Sequence, residues 1–332
     1  MNPLAAIWAG LIAFGIILYI ILDGFDLGIG MLTLFFKNED DRDIMISTVL
    51  PVWDGNETWL VFSGATLYGA FPLAFSVILS SLYTPIFIMV IALLFRGISF
   101  EFRLKAIQSK HFWDICLLLG SLFATFAQGL ILGTFVQGFN LTDNVNNSQF
   151  NQWLNPFGIT CGIALIFGYL LLGSNRLISK TIGKLQENCF KISAKLQYII
   201  LGFVIIVSIW SPYLSLEIKQ RWFNLQLMPY LAIFPIFAMI FLILHWHAIK
   251  NKYEHIPFWS SVGVFLTCYF GFIISSYPYI VPRHITYIKA AASRSSLVFM
   301  LIGACIMLPP LLYYTYFSYK IFSGKVTEKI GY

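Results

Sequence analysis

The chain has 332 residues, of which 58% are hydrophobic and 11% are charged. Soluble domains carry about 25% charged residues, so this composition excludes a water-soluble globular protein and points to the bilayer. The net charge of +6 is carried by loops, as shown below, and needs no nucleic-acid partner to explain it.

Apolar runs of about 20 residues cross a bilayer, and by that measure the chain holds about nine, at 4–36, 46–69, 73–103, 113–138, 155–178, 194–213, 227–249, 258–277 and 295–322. The fold class is therefore all-α integral membrane. The first run lacks a basic segment before it and is expected to be a retained helix, not a cleaved signal. The first and third are longer than a crossing requires. The turn at Gly69–Pro72 is so short that the second and third helices are expected to be antiparallel neighbours. The segment FNLTDNVNNSQFNQWL, 139–154, has no Lys or Arg and reads as a polar external loop. Its NxT and NxS sequons carry little weight without a host.

Lys and Arg divide unevenly between the two sides. One side gathers Lys37, Arg42, Arg103, Lys105, Lys110, Arg176, Lys180, Lys184, Lys191, Lys195, Lys250, Lys252, Lys320, Lys325 and Lys329. The other has Lys219, Arg221, Arg283, Lys289 and Arg294. The first side is expected to be cytoplasmic, with the N-terminus outside and the C-terminus inside.

Five ionisable groups lie inside the first three predicted helices: Asp23 and Asp26, Asp54 and Glu57, and Arg96. Each acid pair is spaced i, i+3, so each faces one side of its helix. All five sit roughly two to three turns inside the cytoplasmic end and are expected to converge between three helices. Placing a charge at depth costs roughly 2.5–3.5 kcal/mol on insertion scales. Arg96 balances one carboxylate, and the remaining acids repel one another. Burial and repulsion favour the protonated form of such acids, so the cluster is suited to proton transfer from the cytoplasm. A plainer reading stays open beside it. Asp23 can hydrogen-bond to the second helix or cap a broken one, Asp26 or Glu57 can be the fixed partner of Arg96, and Arg96 is then a structural counter-charge.

The glycines of DGFDLGIG do not make a phosphate loop, because no strand precedes them and no Lys stands at the required place. Gly24 and Gly28 fit the small-xxx-small pattern of close helix packing. The five cysteines form no CxxC pair and are expected to be small buried residues. His111, His245, His247, His255 and His284 fall in loops or at helix ends, and a haem buried in a bilayer usually takes a His or Met ligand at depth. No haem and no metal is therefore assigned to this chain, and HWH at 245–247 is expected at the interface. The 32 Phe residues mostly serve lipid and interhelix contacts.

The segments DGFDLGIGML, VWDGNETWL and LLFRGISFEFR, together with LNPFG at 154–158, resemble subunit II of the cytochrome bd family of quinol oxidases. The specific match spans roughly 15–103. The start, IWAGLIAFGIILYIILDGFDLGIG, looks closer to the cyanide-insensitive branch. The resemblance implies a complex that oxidises quinol and reduces dioxygen to water in a bacterial inner membrane. It implies that haem b and haem d, or a third haem b, reside in a partner, subunit I. It also implies two four-helix bundles plus a peripheral helix. On this sequence the divisions fall at 1–138 for the first bundle, 139–154 for the loop, 155–277 for the second bundle, 295–322 for the peripheral helix and 323–332 for a cytoplasmic tail. The family's WDGN carboxylate is assigned to a proton channel, and that role falls on Asp54. Glu57 continues the motif, although some relatives have Gln there. Asp23, Asp26 and Arg96 match other characteristic polar positions. Some relatives hold a structural quinone, for which no residues are assigned here, and a small single-helix accessory subunit is a further partner to expect. Proton uptake from the cytoplasm with release from quinol outside would separate charge without a pump. The competing readings are a proton-coupled secondary transporter, against which stands the lack of an inverted repeat, and a purely structural partner.

Overall fold

The computed structural model describes residues 3–139 and 152–327. Most of the expected external loop 139–154 and the last residues of the expected tail 323–332 lie outside the described residues. With no water in a bilayer core, each backbone amide must be satisfied within its own segment, and helices do this. The chain accordingly forms α1 (Pro3–Leu32), α2 (Glu39–Ser47), α3 (Trp53–Ala70), α4 (Pro72–Ser81), α5 (Tyr83–Lys105), α6 (Lys110–Gln137), α7 (Pro156–Lys180), α8 (Gly183–Leu214), α9 (Leu216–Trp222), α10 (Met228–Leu231), α11 (Ile233–Lys250), α12 (Ile256–Ser276), α13 (Tyr287–Ala290) and α14 (Arg294–Ile321). A small antiparallel hairpin, β1 (Tyr279–Val281) with β2 (Ile285–Thr286), precedes α13. Among the described residues, eight helices are long and apolar enough to cross a membrane. The helix α3 is not one of them, because DGNET at its start dilutes its apolar character.

Two predicted runs divide differently from expectation. The run 46–69 begins as a helix at Trp53, after the separate α2, whose acidic first turn is capped by Asn38. The run 73–103 is α4 and α5, interrupted at Leu82. The helix α3 packs mainly on α1 and α5 mainly on α6. The helices α3 and α5 meet through long side chains, Trp53 on Phe100 with ring centroids 5.4 Å apart and Glu57 on Arg96, more than through close backbone approach.

The helix α1 is the central element, touching α3, α6, α7, α12 and α14. Its glycines are required where α7 comes close. A Cβ on Gly28 would collide with the backbone carbonyl of Tyr169, and one on Gly24 would stand 2.7 Å from the Tyr169 ring. The α6–α7 contact uses the same device, since a Cβ on Gly133 would lie 2.6 Å from the Gly158 Cα. LNPFG opens α7 as its chemistry dictates: Asn155 Oδ1 accepts from the Gly158 amide at 2.6 Å and Pro156 stands at the first helical position. Asn155 also donates to Thr134 of α6 at 3.0 Å.

The two ends of the molecule differ. At one end, Lys180 donates to the Phe322 and Gly324 carbonyls, and Val326 donates back to the Lys180 carbonyl. Lys325 pairs with Glu254 at 2.6 Å, and Gln186 donates to the same carboxylate. The segment after α14 is thus latched across the ends of α7 and α12. At the other end, the hairpin closes a second apolar core of Trp8, Phe71, Leu82, Phe139, Val281 and Leu297. The helix α14 is peripheral and contributes Leu297 alone as a buried residue. Cys161 and Cys189 are buried as expected, but Cys268 and Cys305 are exposed, facing outward from α12 and α14.

Two outcomes are expected. Gly28→Ala, which drives a Cβ into backbone that cannot swing aside, should destabilise by about 1–3 kcal/mol, while Gly24→Ala meets a ring that can turn and should cost less; thermal melting and the yield of folded protein in detergent rank the two. Lys325 and Gln186 hold the Glu254 carboxyl below the usual carboxylate range. A lowered folded value means the latch is fully present above the unfolded carboxylate range and is lost as pH falls through the lowered value. Protease sensitivity of the tail should therefore stay constant from neutral to mildly acidic pH and rise below that range.

Candidate functional site

The charge cluster forms where α1, α3 and α5 meet. Arg96 of α5 is completely buried. Its Nη1 donates to Asp23 Oδ1 at 2.6 Å and its Nη2 to Glu57 Oε2 at 3.0 Å. The guanidinium fork spans two carboxylates on different helices, a geometry that a lysine could not supply. Asp23 has no exposed surface, whereas the Glu57 side chain is 24% exposed. Asp23 is therefore the deep partner and Glu57 the shallow one.

Asp26 stands one turn beyond Asp23 on α1 and is equally buried. Its Oδ2 accepts from Asn56 Nδ2 at 2.7 Å, and Asn56 Oδ1 in turn accepts from the Tyr319 hydroxyl at 2.9 Å. This short chain ties α1, α3 and the peripheral α14 together. A water-sized cavity lies beside it, lined by Val52, Gly55, Asn56, Thr315, Ser318 and Tyr319. Asp54 is placed apart from the others. It is exposed near the start of α3, and among the described residues its carboxylate has no ion-pair partner. The structure thus brings together Asp23, Glu57 and Arg96, with Asp26 adjacent through Asn56, and turns Asp54 outward.

The open question over Arg96 resolves to two partners. Glu57 is one, as one reading allowed; Asp23 is the other, and Asp26 is not paired with Arg96. The sequence reading missed Asn56, although it lies inside VWDGNETWL, and Tyr319. A second buried network was also missed. Arg103, read as a loop charge, is 2% exposed and donates to Asp43 at 2.7 Å and to the fully buried Asp114, which Arg42 also approaches at 3.2 Å. Lys110 extends it to Glu39 at 2.7 Å. Asp114, an acid just inside a predicted span, was the available signal. Arg176 was likewise counted in a loop; its guanidinium lies over the rings of Phe25, Phe258 and Tyr319 at 5.0, 5.6 and 5.4 Å.

The expectation that HWH lies at the interface is wrong for His245. It is completely buried between α7, α8 and α11. Its Nδ1 is 2.8 Å from Gln197 Oε1 and its Nε2 3.0 Å from Asn175 Nδ2, with Ser193 and Ser261 completing the group. The sequence hides this because the partners, all neutral and polar, are scattered over three other helices. Both ring nitrogens are engaged by protein groups.

The sequence model of the family described as "Cytochrome bd terminal oxidase subunit II" matches residues 4–322. The chain belongs to this family. It is 28% identical over 341 residues to "Cytochrome bd ubiquinol oxidase subunit 2" of Bacillus subtilis, covering 99% of this chain and 98% of that one. It is 26% identical over 368 residues to "Cytochrome bd-I ubiquinol oxidase subunit 2" of Escherichia coli K12, covering 99% and 96%. Its fold is similar to a chain of the bd oxidase structure from Geobacillus thermodenitrificans, with a TM-score of 0.83 at 16% identity, over 96% of this chain and 98% of that one.

Removal of Arg96 should be the most damaging single change at this site. Arg96→Leu leaves Asp23 buried without its counter-charge, at a cost of about 3–5 kcal/mol. Glu57→Gln keeps a hydrogen-bond acceptor on a partly exposed group and should cost under about 1 kcal/mol. The amount of each variant that survives detergent extraction as a single species in size-exclusion chromatography checks the order.

Proposed function

We propose that this chain is the haem-free subunit II of a bd-type quinol oxidase in a bacterial cytoplasmic membrane, and that Asp54 and Glu57 begin its proton uptake route. Family membership makes it a bd oxidase subunit. The observation that carries the finer reading is the line of acids from outward-facing Asp54, through partly exposed Glu57, to the deep Asp23–Arg96 pair. The haems, supplying the oxygen-reducing chemistry, belong to the haem-bearing subunit I. Quinol and dioxygen are substrates of the assembled complex.

Each residue has a part in this reading. Asp54 stands exposed in the first turn of α3, at the outer end of this line of acids. Glu57, one turn deeper, receives them. Arg96 keeps Glu57 and Asp23 in place and keeps the cluster from collapsing into one neutral contact. Asp26 lies beside the route. The end bearing Lys110, Lys180 and Lys325 is the cytoplasmic one on the positive-inside rule. With α3 counted and the short α4 and α10 joined to their successors, the described residues would cross nine times, with α1 beginning on the outside. The second bundle, 155–277, and the peripheral helix lend structural support.

The decisive experiment is to tag the chain in its host, purify it in mild detergent and record a reduced-minus-oxidised spectrum. A larger membrane partner with b- or d-type haem bands is expected. A haem-free chain purifying alone from cells with intact complexes would overturn the reading in favour of a proton-coupled transporter. Within the complex, Asp54→Asn should assemble normally and slow oxygen consumption at least tenfold, an effect of about 1.4 kcal/mol on the barrier. Unchanged turnover would remove Asp54 from the route.

A further inference from the structure

Asp23 and Asp26 each hold one buried oxygen that makes no well-formed hydrogen bond among the described residues. Asp23 Oδ1 accepts from Arg96, but its Oδ2 is buried without a hydrogen-bond partner among the described residues. Asp26 Oδ2 accepts from Asn56, but its Oδ1 is likewise buried and unpartnered. The two residues are spaced i, i+3 on one helix, so their side chains are neighbours. A buried polar atom without a partner carries the full desolvation penalty of its group, and here two such atoms belong to neighbouring side chains on one helix.

The charges around them do not balance. Arg96 from α5 bonds directly to Asp23 and Glu57. Arg176 from α7 lies over aromatic rings and bonds to neither Asp. Asn56 from α3, Tyr19 on α1 itself, whose hydroxyl lies near Asp23, Tyr169 from α7 and Tyr319 from α14 are neutral groups that bring no positive charge. An ionised Asp26 would therefore be a fully buried anion with one neutral donor, beside a second anion.

We propose that one proton is shared between Asp26 Oδ1 and Asp23 Oδ2. A proton on Asp26 Oδ1 turns that atom into a donor, and Asp23 Oδ2 becomes its acceptor. One proton thus satisfies both orphaned oxygens and removes one negative charge. The reverse placement, on Asp23, weakens the 2.6 Å ion pair with Arg96; Asp26 is therefore the acid and Asp23 the carboxylate. The Tyr319–Asn56 chain engages the other oxygen of the Asp26 carboxyl, Oδ2, and leaves Oδ1 to carry the proton. The pair is a proton store beside the Asp54–Glu57 route. Release breaks the O–H bond of Asp26 and leaves its electron pair on Oδ1 as a carboxylate, and an equivalent proton from the aqueous side restores it. Only the use of the stored proton rests on the uptake reading; the shared proton does not.

The test is the hydrogen–deuterium infrared difference spectrum of the purified complex. The wild type should show a deuterium-sensitive carbonyl stretch of a protonated carboxylic acid. Asp26→Asn should abolish it, Asp23→Asn should move it because the acceptor changes from carboxylate to amide, and Glu57→Gln should leave it in place. Absence of the band in the wild type, its survival in Asp26→Asn, or an unmoved band in Asp23→Asn each overturns the proposal. Should Asp26→Asn not assemble, Asp26→Glu takes its place, and an unshifted band there overturns the proposal equally. Oxygen consumption of Asp54→Asn is read separately: normal turnover with the band intact refutes the uptake route and leaves the shared proton standing.

Discussion

A guanidinium with no exposed surface, deep among apolar helices, is the constraint on which the rest of this structure depends. Arg96 remains charged in any environment a protein provides, so its counter-charges must be present and correctly placed. Asp23 and Glu57 come from two other helices. Their distances fix the rotation and depth of α1 and α3 relative to α5. Apolar packing alone tolerates sliding between helices in lipid, because lipid tails match leucine side chains in character. The ion pair does not tolerate it. The glycine face of α1 then allows α7 to close against the same helix, and the cluster is sealed.

The second half of the chain solves a similar problem without charge. Around His245 of α11, four neutral side chains from α7, α8 and α12 satisfy one another and the imidazole. Both networks join several helices by directed bonds in a medium that offers no others. They differ in what they can do. The neutral network has its principal donors and acceptors paired and is suited to holding helices in register. The charged one keeps orphaned oxygens and a partly exposed carboxylate, and is suited to exchanging protons. That contrast is the reason the proposed proton route is placed in the first half of the chain.

Much of this was legible in the sequence. Apolar runs gave the helices, since the bilayer sets their length, and DGFD, WDGNE and LFRG announced the cluster because charge is scarce elsewhere. The break at Leu82 had a signal that the hydropathy run hid: Pro85 has no amide to bond back to Ser81 and disfavours an unbroken helix through that turn. Depth at helix ends was misjudged for another reason: Arg103, Arg176 and His245 look like interfacial residues until Asp114, three aromatic rings and Asn175 are seen to enclose them. These partners lie on other helices, far along the chain, and pattern reading along one helix does not reach them. The outward placement of Asp54 also depended on knowing which face of α3 meets α1.

The placement of the acids on α1 has a consequence for how the protein is made. Arg96 lies 73 residues after Asp23 along the chain. Synthesis runs from the N-terminus, so the helix carrying both aspartates is delivered to the membrane before the arginine exists. For that interval the first helix must be accommodated with its acids neutral, hydrated or still held by the insertion machinery. The order of birth of the helices thus opposes the order of their dependence: the central helix arrives first, and its electrostatic partner only after a second helix has been laid beside it.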